Sequence, residues 1–176
     1  MTSNNKDNAS KKTMKEIAKD ISKRVSEEEL RKIIINFLDE HKICTMATCS
    51  DNIPRSTPLR YRNKELTIYI STEGGGKMKN IKQNPTVSVS LYADYKGFDS
   101  VRSLQTWGTA EIITPDDKDK YLEARKILNT EGREDLKNMN VKNAGFNLRV
   151  IKIKIERARY FSFPEGILNQ ELDLSQ

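Results

Sequence analysis

Beyond Lys42 the hydrophobic pattern changes period, and short runs alternate residue by residue. TVSVSLY places Val87, Val89 and Leu91 on one side and Ser88 and Ser90 on the other. RVIKIKIERARYF sets Ile151, Ile153 and Ile155 against Lys152 and Lys154. Successive side chains of a strand leave opposite faces, so each run predicts a strand with one buried and one wet face. KICTMATC, NIPRSTPLRYR, ELTIYIS and VRSLQTWGTAEIIT are further candidates, rich in β-branched residues. Ser50-Asp51-Asn52 and Asn63-Lys64 read as turns between them. Gly108, inside the longest run, marks a bulge or a close backbone approach. About six sequential strands, mostly joined by short turns, argue against a doubly wound parallel sheet. They predict a mainly β fold: an antiparallel barrel with helices packed outside.

The helices lie at the margins. Residues 1–12 are polar and lysine-bearing and read as a disordered tail. Met14, Ile17, Ala18, Ile21 and Val25 recur at helical spacing. Ser26 and Glu29 form a capping-box pattern. It opens a second helix with Leu30, Ile33, Ile34, Phe37 and Leu38 on its apolar face. Thr114-Pro115-Asp116-Asp117 starts another, lined by Tyr121, Ala124, Ile127 and Leu128. Residues 130–145 carry no clear signal. The chain of 176 residues is long enough for one core. The expected division is a single domain over 13–165 and a C-terminal tail over 166–176.

The stretch STEGGGKMKN, Ser71 to Asn80, raises a chemical question. Three glycines follow a strand and precede a short helix, roughly Gly76 to Gln83, that Asn84-Pro85 ends. A Walker loop needs glycine five residues before its lysine and a hydroxyl residue after it. Those positions hold Thr72 and Met78. A dinucleotide fingerprint starting at Gly74 needs glycine where Lys79 stands. Both motifs fail, yet an anion site remains open. Hydroxyls, close backbone approach and a helix N-terminus all suit an anion. Lys77 and Lys79 near the first turn are unfavourable for the helix unless an anion compensates. A flexible turn with solvated lysines is the alternative.

IYISTEGGGKMKNIKQNPTVSVSLY resembles the central segment of the pyridoxamine 5'-phosphate oxidase-like family, the FMN-binding split barrels. Thr72, Lys77, Ile81 and Asn84-Pro85 match its spacing. RSTPLRY, SLQTWGTAEII and VIKIKIERARYF resemble three further strands in the same order, so the likeness runs from Leu30 to Phe163. The resemblance implies a six-stranded antiparallel split barrel and a homodimer with FMN at the subunit interface. It implies that Ser71, Thr72, Gly76 and Lys77 hold the FMN phosphate, and that Arg55, Ser56, Thr57 and Pro58 lie along the flavin ring. Arg60 stands in place of a family lysine and would face flavin or substrate. Ordinary surface positions are the alternative for both arginines. Ser103, where the oxidase has glutamine, and Gln105 would reach FMN from the partner subunit. Trp107 shares their face, although a lone tryptophan is more often core.

The resemblance stops short of vitamin B6 chemistry. The oxidases carry an Arg-x-His motif near the C-terminus, whereas the only histidine here is His41. The expected activity is therefore a flavin-dependent redox reaction on another substrate, with NAD(P)H as a candidate electron donor. No side chain is nominated as catalytic acid or base. Deazaflavin, FAD or haem in the same cleft are the cofactor variants, and a module that binds flavin without turnover is a further reading. Cys44 and Cys49 are too few for a disulfide framework, and five residues apart in one strand they face opposite ways. No metal site is nominated. The net charge of +6 weakly favours anionic partners. A nucleic-acid-binding barrel, with YADYKGF as its aromatic loop, is the competing class. The N-terminus lacks a signal peptide's apolar core, so a cytoplasmic location without membrane contact is expected.

Overall fold

The computed structural model describes residues 20–128 and 148–175, together with Thr13 and Glu16. Met14, Ile17, Ala18 and the segment 130–145 fall outside the described residues. Helix α1 (Glu27–Glu40) begins where the capping pattern places it: Ser26 Oγ accepts from Glu29 N–H at 3.2 Å. Three glutamates in its first turn suit the positive end of the helix dipole. In the segment before it Glu16, Asp20 and Ile21 are helical as expected, whereas residues 22–25 are not. Val25 lies outside any helix, with its N–H and C=O held by the Gln170 side-chain amide at 3.1 and 2.7 Å. A side chain from the far end of the sequence thus satisfies backbone groups that a helix would otherwise have paired.

Strands β1 (Ile43–Ser50) and β2 (Ile53–Arg60) form the expected hairpin. Asp51 and Asn52 both have positive φ, 53° and 58°, as a two-residue hairpin turn of matching twist requires. Asn63 and Lys64 are not a turn. They belong to β3 (Arg62–Lys64), and the chain reverses at Glu65, with φ 52°, into β4 (Thr67–Thr72). Asn63 Nδ2 donates to Asp39 Oδ1 at 2.6 Å, which ties that short strand to α1. Helix α2 (Gly76–Gln83), β5 (Thr86–Tyr92), β6 (Arg102–Ile113), α3 (Lys118–Leu128) and β7 (Arg149–Ser162) follow the sequence pattern.

The sheet has eight strands rather than six. The additions are β3 and β8 (Ile167–Asp173), and the latter occupies the segment expected to be a tail. Its buried residues Ile167 and Leu172 are an odd number apart, so alternation breaks within it. Asn169, with φ 55°, supplies the irregularity.

The strand order is β2-β1-β5-β6-β7-β4-β3, with β8 also on β7, and every pairing is antiparallel. The sheet curls into a half-barrel. Its inner face, including Met46, Ile68, Ile70, Val89, Leu104 and Ile153, closes over Leu30, Ile34, Phe37 and Leu38 of α1. A smaller cluster joins Tyr69, Ile113 and Val150 to Ala124 and Leu128 of α3. Both cysteines are free, and burial pushes the Cys44 thiol up to about 12.

Gly108 shows both properties expected of it. The β6–β7 register shifts between Trp107 and Gly108. A Cβ on Gly108 would stand 2.0 Å from Lys154 O, a backbone atom that cannot swing aside. Substituting Gly108→Ala should therefore cost about 3 kcal/mol of stability or prevent folding. Denaturant unfolding of the purified variant measures it, and a midpoint equal to the parent's would refute this account of the bulge.

Candidate functional site

The glycine stretch forms the corner between β4 and α2. Ser71 and Thr72 leave opposite faces of β4. Thr72 continues the core side of Ile68 and Ile70, whereas Ser71 continues the side of Tyr69, under α3. Thr72, Glu73, Gly74, Gly75 and Lys77 line an open depression of about 470 Å³. The structure thus brings Thr72 and Lys77 together, leaves Gly76 beside them outside the lining, and sends the Ser71 side chain elsewhere.

Each glycine of the triplet has a different cation beside its vacant Cβ position. For Gly74 the nearest group is Arg149 Nη1, at 3.7 Å. For Gly75 it is Lys77 Nζ, at 4.0 Å, and for Gly76 the Arg55 guanidinium, at 2.7 Å. A side chain at Gly76 would collide with Arg55. Gly74 and Gly75 also have positive φ, 152° and 95°, which L residues with a Cβ rarely adopt. The three cations come from three elements: β7, α2 and β2.

Helix α2 opens onto this group without a cap. Gly75 has no side chain to bond the first-turn amides, and the first turn holds no acid. Its free N–H groups add to the positive field. The helix itself is firmly seated. Asn80 Nδ2 donates to Thr48 Oγ1 at 3.1 Å, and Ser50 Oγ donates to Asn80 Oδ1 at 2.9 Å. Asn84 Nδ2 reaches Cys49 O at 3.2 Å, and Met78 and Ile81 are buried. Lys77 Nζ donates to Gly74 O at 2.7 Å. Burial, and then the neighbouring Arg55 charge, hold the Lys77 ammonium below its usual pKa. Lys79 is exposed.

The other residues singled out in the sequence are divided between the two faces of the sheet. Arg55 and Thr57 pair with Thr48 and Met46 and share their core-side orientation. Ser56, Pro58 and Arg60 pair with Ala47, Thr45 and Ile43 and face outward. The run from Arg55 to Pro58 is therefore divided between two faces. The outer face continues through Ser88, Ser90 and Tyr92 to Trp107, Gln105 and Ser103. Trp107, for which a core position is the commoner outcome, is half-buried on this outer face. The Arg157 guanidinium covers its ring at 4.1 Å from the centroid. Ser103 is also separated from the corner along the strand. The corner adjoins the Val150 and Ile113 end of the β6–β7 pair, and Ser103 adjoins its Phe161 end. At a rise of about 3.3 Å per residue, that separation is about 30 Å along β6.

The sequence profile of the family described as pyridoxamine 5'-phosphate oxidase matches residues 28–162. The chain belongs to the pyridoxamine 5'-phosphate oxidase-like family. General stress protein 26 of Bacillus subtilis (strain 168) is 26% identical over 113 residues, covering 63% of this chain and 80% of that protein. A Clostridium acetobutylicum protein related to general stress protein 26, of the pyridoxinephosphate oxidase family, superimposes with a TM-score of 0.62 at 17% identity. The match covers 86% of this chain and 98% of that one. A FAD-binding protein from Mesorhizobium loti gives a TM-score of 0.57 at 21% identity, over 76% and 92% of the two chains. These structural likenesses establish the split-barrel fold.

Against this family background, His41 is a structural residue. Its Nδ1 donates to Phe37 O at 2.8 Å, and its ring lies 4.1 Å from that of Phe37. Two residues of the corner escaped sequence reasoning. Asn80 fastens α2 through buried polar bonds, yet reads as one more polar helix residue. Arg149 begins the last long strand of the pattern, and only its pairing with Thr72 in the sheet reveals its place.

The electrostatic coupling is testable. A like charge disfavours the protonated amine, so removing it strengthens proton binding. Arg55→Met should raise the Lys77 pKa toward the ordinary lysine value, as read by NMR titration of its side-chain resonances. An unchanged titration would mean that the two cations do not share the corner.

Proposed function

We propose that the protein binds FMN at the β4–α2 corner and uses it as a flavin-dependent oxidoreductase, working as a homodimer. The observation that carries this reading is the glycine triplet flanked by three cations at an uncapped helix start. The donor set fits a phosphate dianion: the Thr72 hydroxyl, first-turn amides, the Lys77 ammonium and the Arg55 guanidinium. Flavin, when bound, supplies hydride and electron transfer, which no side chain nominated here supplies. The protein's own part is to hold the phosphate, orient the ring and shield it. Ser71 keeps a place in this reading through its backbone alone, because its hydroxyl leaves the opposite face.

Distance supports the proposed dimer. Ser103 and Gln105 lie about 30 Å along the strand from the corner of their own chain. They meet the same ligand only if the outer face of a second subunit covers it. That face suits such contact. Its β1–β5 portion carries the small residues Thr45, Ala47, Ser88 and Ser90, and Ile43 is 59% exposed. Ser56, Pro58 and Arg60 would then border the ring. The substrate differs from pyridoxamine phosphate, since the chain has no Arg-x-His motif and its single histidine is bonded to Phe37. A reduced nicotinamide is the proposed electron donor. The residues described contain no helix long and apolar enough to cross a membrane.

Purified protein should be yellow, show a flavin absorption band and release FMN on denaturation, identified by mass. FAD, deazaflavin or haem in the released fraction would correct the cofactor, and a colourless protein that FMN cannot saturate would end the proposal. Lys77→Ala should weaken FMN about 10- to 100-fold, the loss expected for a charge-assisted bond. Lys79→Ala should have at most a slight effect. The reverse order, read by flavin fluorescence titration, would break the assignment.

A further inference from the structure

We infer that Arg149 is a third phosphate-holding residue of the β4–α2 corner, beside Lys77 and Arg55. This rests on the proposed anion site and extends it to a residue from another strand. Arg149 opens β7 and pairs with Thr72, the last residue of β4, so the sheet register itself delivers it to the corner. Its Nη1 donates to Glu73 O at 2.7 Å and lies 3.7 Å from the vacant Cβ position of Gly74. The chain entering β7 is fixed from the other side, where Tyr121 Oη of α3 donates to Leu148 O at 3.0 Å.

The geometry gives Arg149 two parts. Its bond to Glu73 O fixes the strand-to-helix turn ahead of Gly74 and Gly75, whose conformations aim the backbone at the depression. A guanidinium has five N–H donors, and the bond to Glu73 uses one of them. The remaining donors have no bonding partner among the described residues. The ion pairs of those residues lie elsewhere, at Glu28–Lys32, Glu40–Arg102, Glu111–Lys120, Asp117–Lys120 and Glu171–Arg159. A planar donor fork left over beside an amide-lined turn matches the geometry of a phosphate.

Two probes separate this inference from the reading it rests on. The first pair is FMN and riboflavin, which differ only in the phosphate. In Arg149→Met, FMN should bind about 10- to 100-fold more weakly, while riboflavin affinity changes less than about twofold. Arg149→Lys, which keeps the charge but loses the fork, should recover part of the FMN affinity. Equal losses for both flavins would reduce Arg149 to a prop for the turn and overturn the inference. So would unchanged FMN binding. The second probe is inorganic phosphate, followed through the amide resonances of Gly74 to Lys77. Saturable shifts in the parent, weakened in Arg149→Met, support the inference even if the parent binds no flavin, an outcome that would overturn only the flavin reading. Phosphate shifts that are absent in the parent, or equal in both proteins, would overturn the role of Arg149.

Discussion

The barrel depends on one change of partner along β7. Up to Lys154 the strand pairs with β4, and from Arg157 onward with β8. The handover occupies two residues. Ile155 N–H donates to Leu66 O at 3.2 Å, and Glu156 O accepts from Leu174 N–H at 2.7 Å. A strand that simply switched neighbours would strand backbone groups in the interior. Here the extra residue on β7 keeps them paired, while β6 stays bonded along the opposite edge by shifting register at Gly108. The vacant Cβ of that glycine is what lets Lys154 O come so close. Bulges of this kind sharpen the local bend and twist, which a sheet needs in order to curl.

The same handover decides where chemistry can stand. The β4 half of β7 carries Arg149 and meets Thr72, so it builds the cationic corner. The β8 half carries Arg157 and Arg159, which pack against Trp107 on the outer face. One strand pair therefore holds two regions at opposite ends. Glu171 takes up the Arg159 charge on the outer face, through a bond from Arg159 Nε at 2.8 Å. Among the described residues no carboxylate forms an ion pair with Lys77, Arg55 or Arg149, although Glu73 also lines the depression, whereas the Arg159 charge is paired on the outer face.

Much of the fold was legible because alternation and capping are local signals. TVSVSLY and the span Gly76 to Gln83 needed no tertiary information to be bounded. The failures are places where a distant residue or a bulge overrides the pattern. Val25 looks helical by spacing but lies outside any helix, and Gln170 satisfies its backbone from β8. The last strand was missed because Asn169 breaks the alternation that would have announced it. Glu65 turns the chain with positive φ and without the glycine or asparagine that usually signals it. In the site, Thr72 and Lys77 were readable from one contiguous stretch. Arg149 was not, since it stands 77 residues after Thr72 and reaches it only through strand register. The separation of Arg55 from Ser56 was implicit in strand geometry, where neighbouring residues cannot share a face.

What remains of the corner is an electrostatic imbalance with a direction. Lys77, Arg55 and Arg149 gather beside a helix start that already carries positive field and has neither cap nor acid. The lowered Lys77 pKa records part of that cost, from burial first and from Arg55 second. The φ of 95° at Gly75 disfavours the serine or aspartate that would otherwise cap the helix, so the turn itself keeps a side-chain cap away from the first-turn amides. Glycine there leaves the amides free instead. A neutral ligand would leave the repulsion in place, whereas a dianion would relieve it, accept bonds from the free amides and move the Lys77 pKa back up. In the proposed flavin reading, the imbalance therefore favours the phosphate end of the ligand over its ring at this corner.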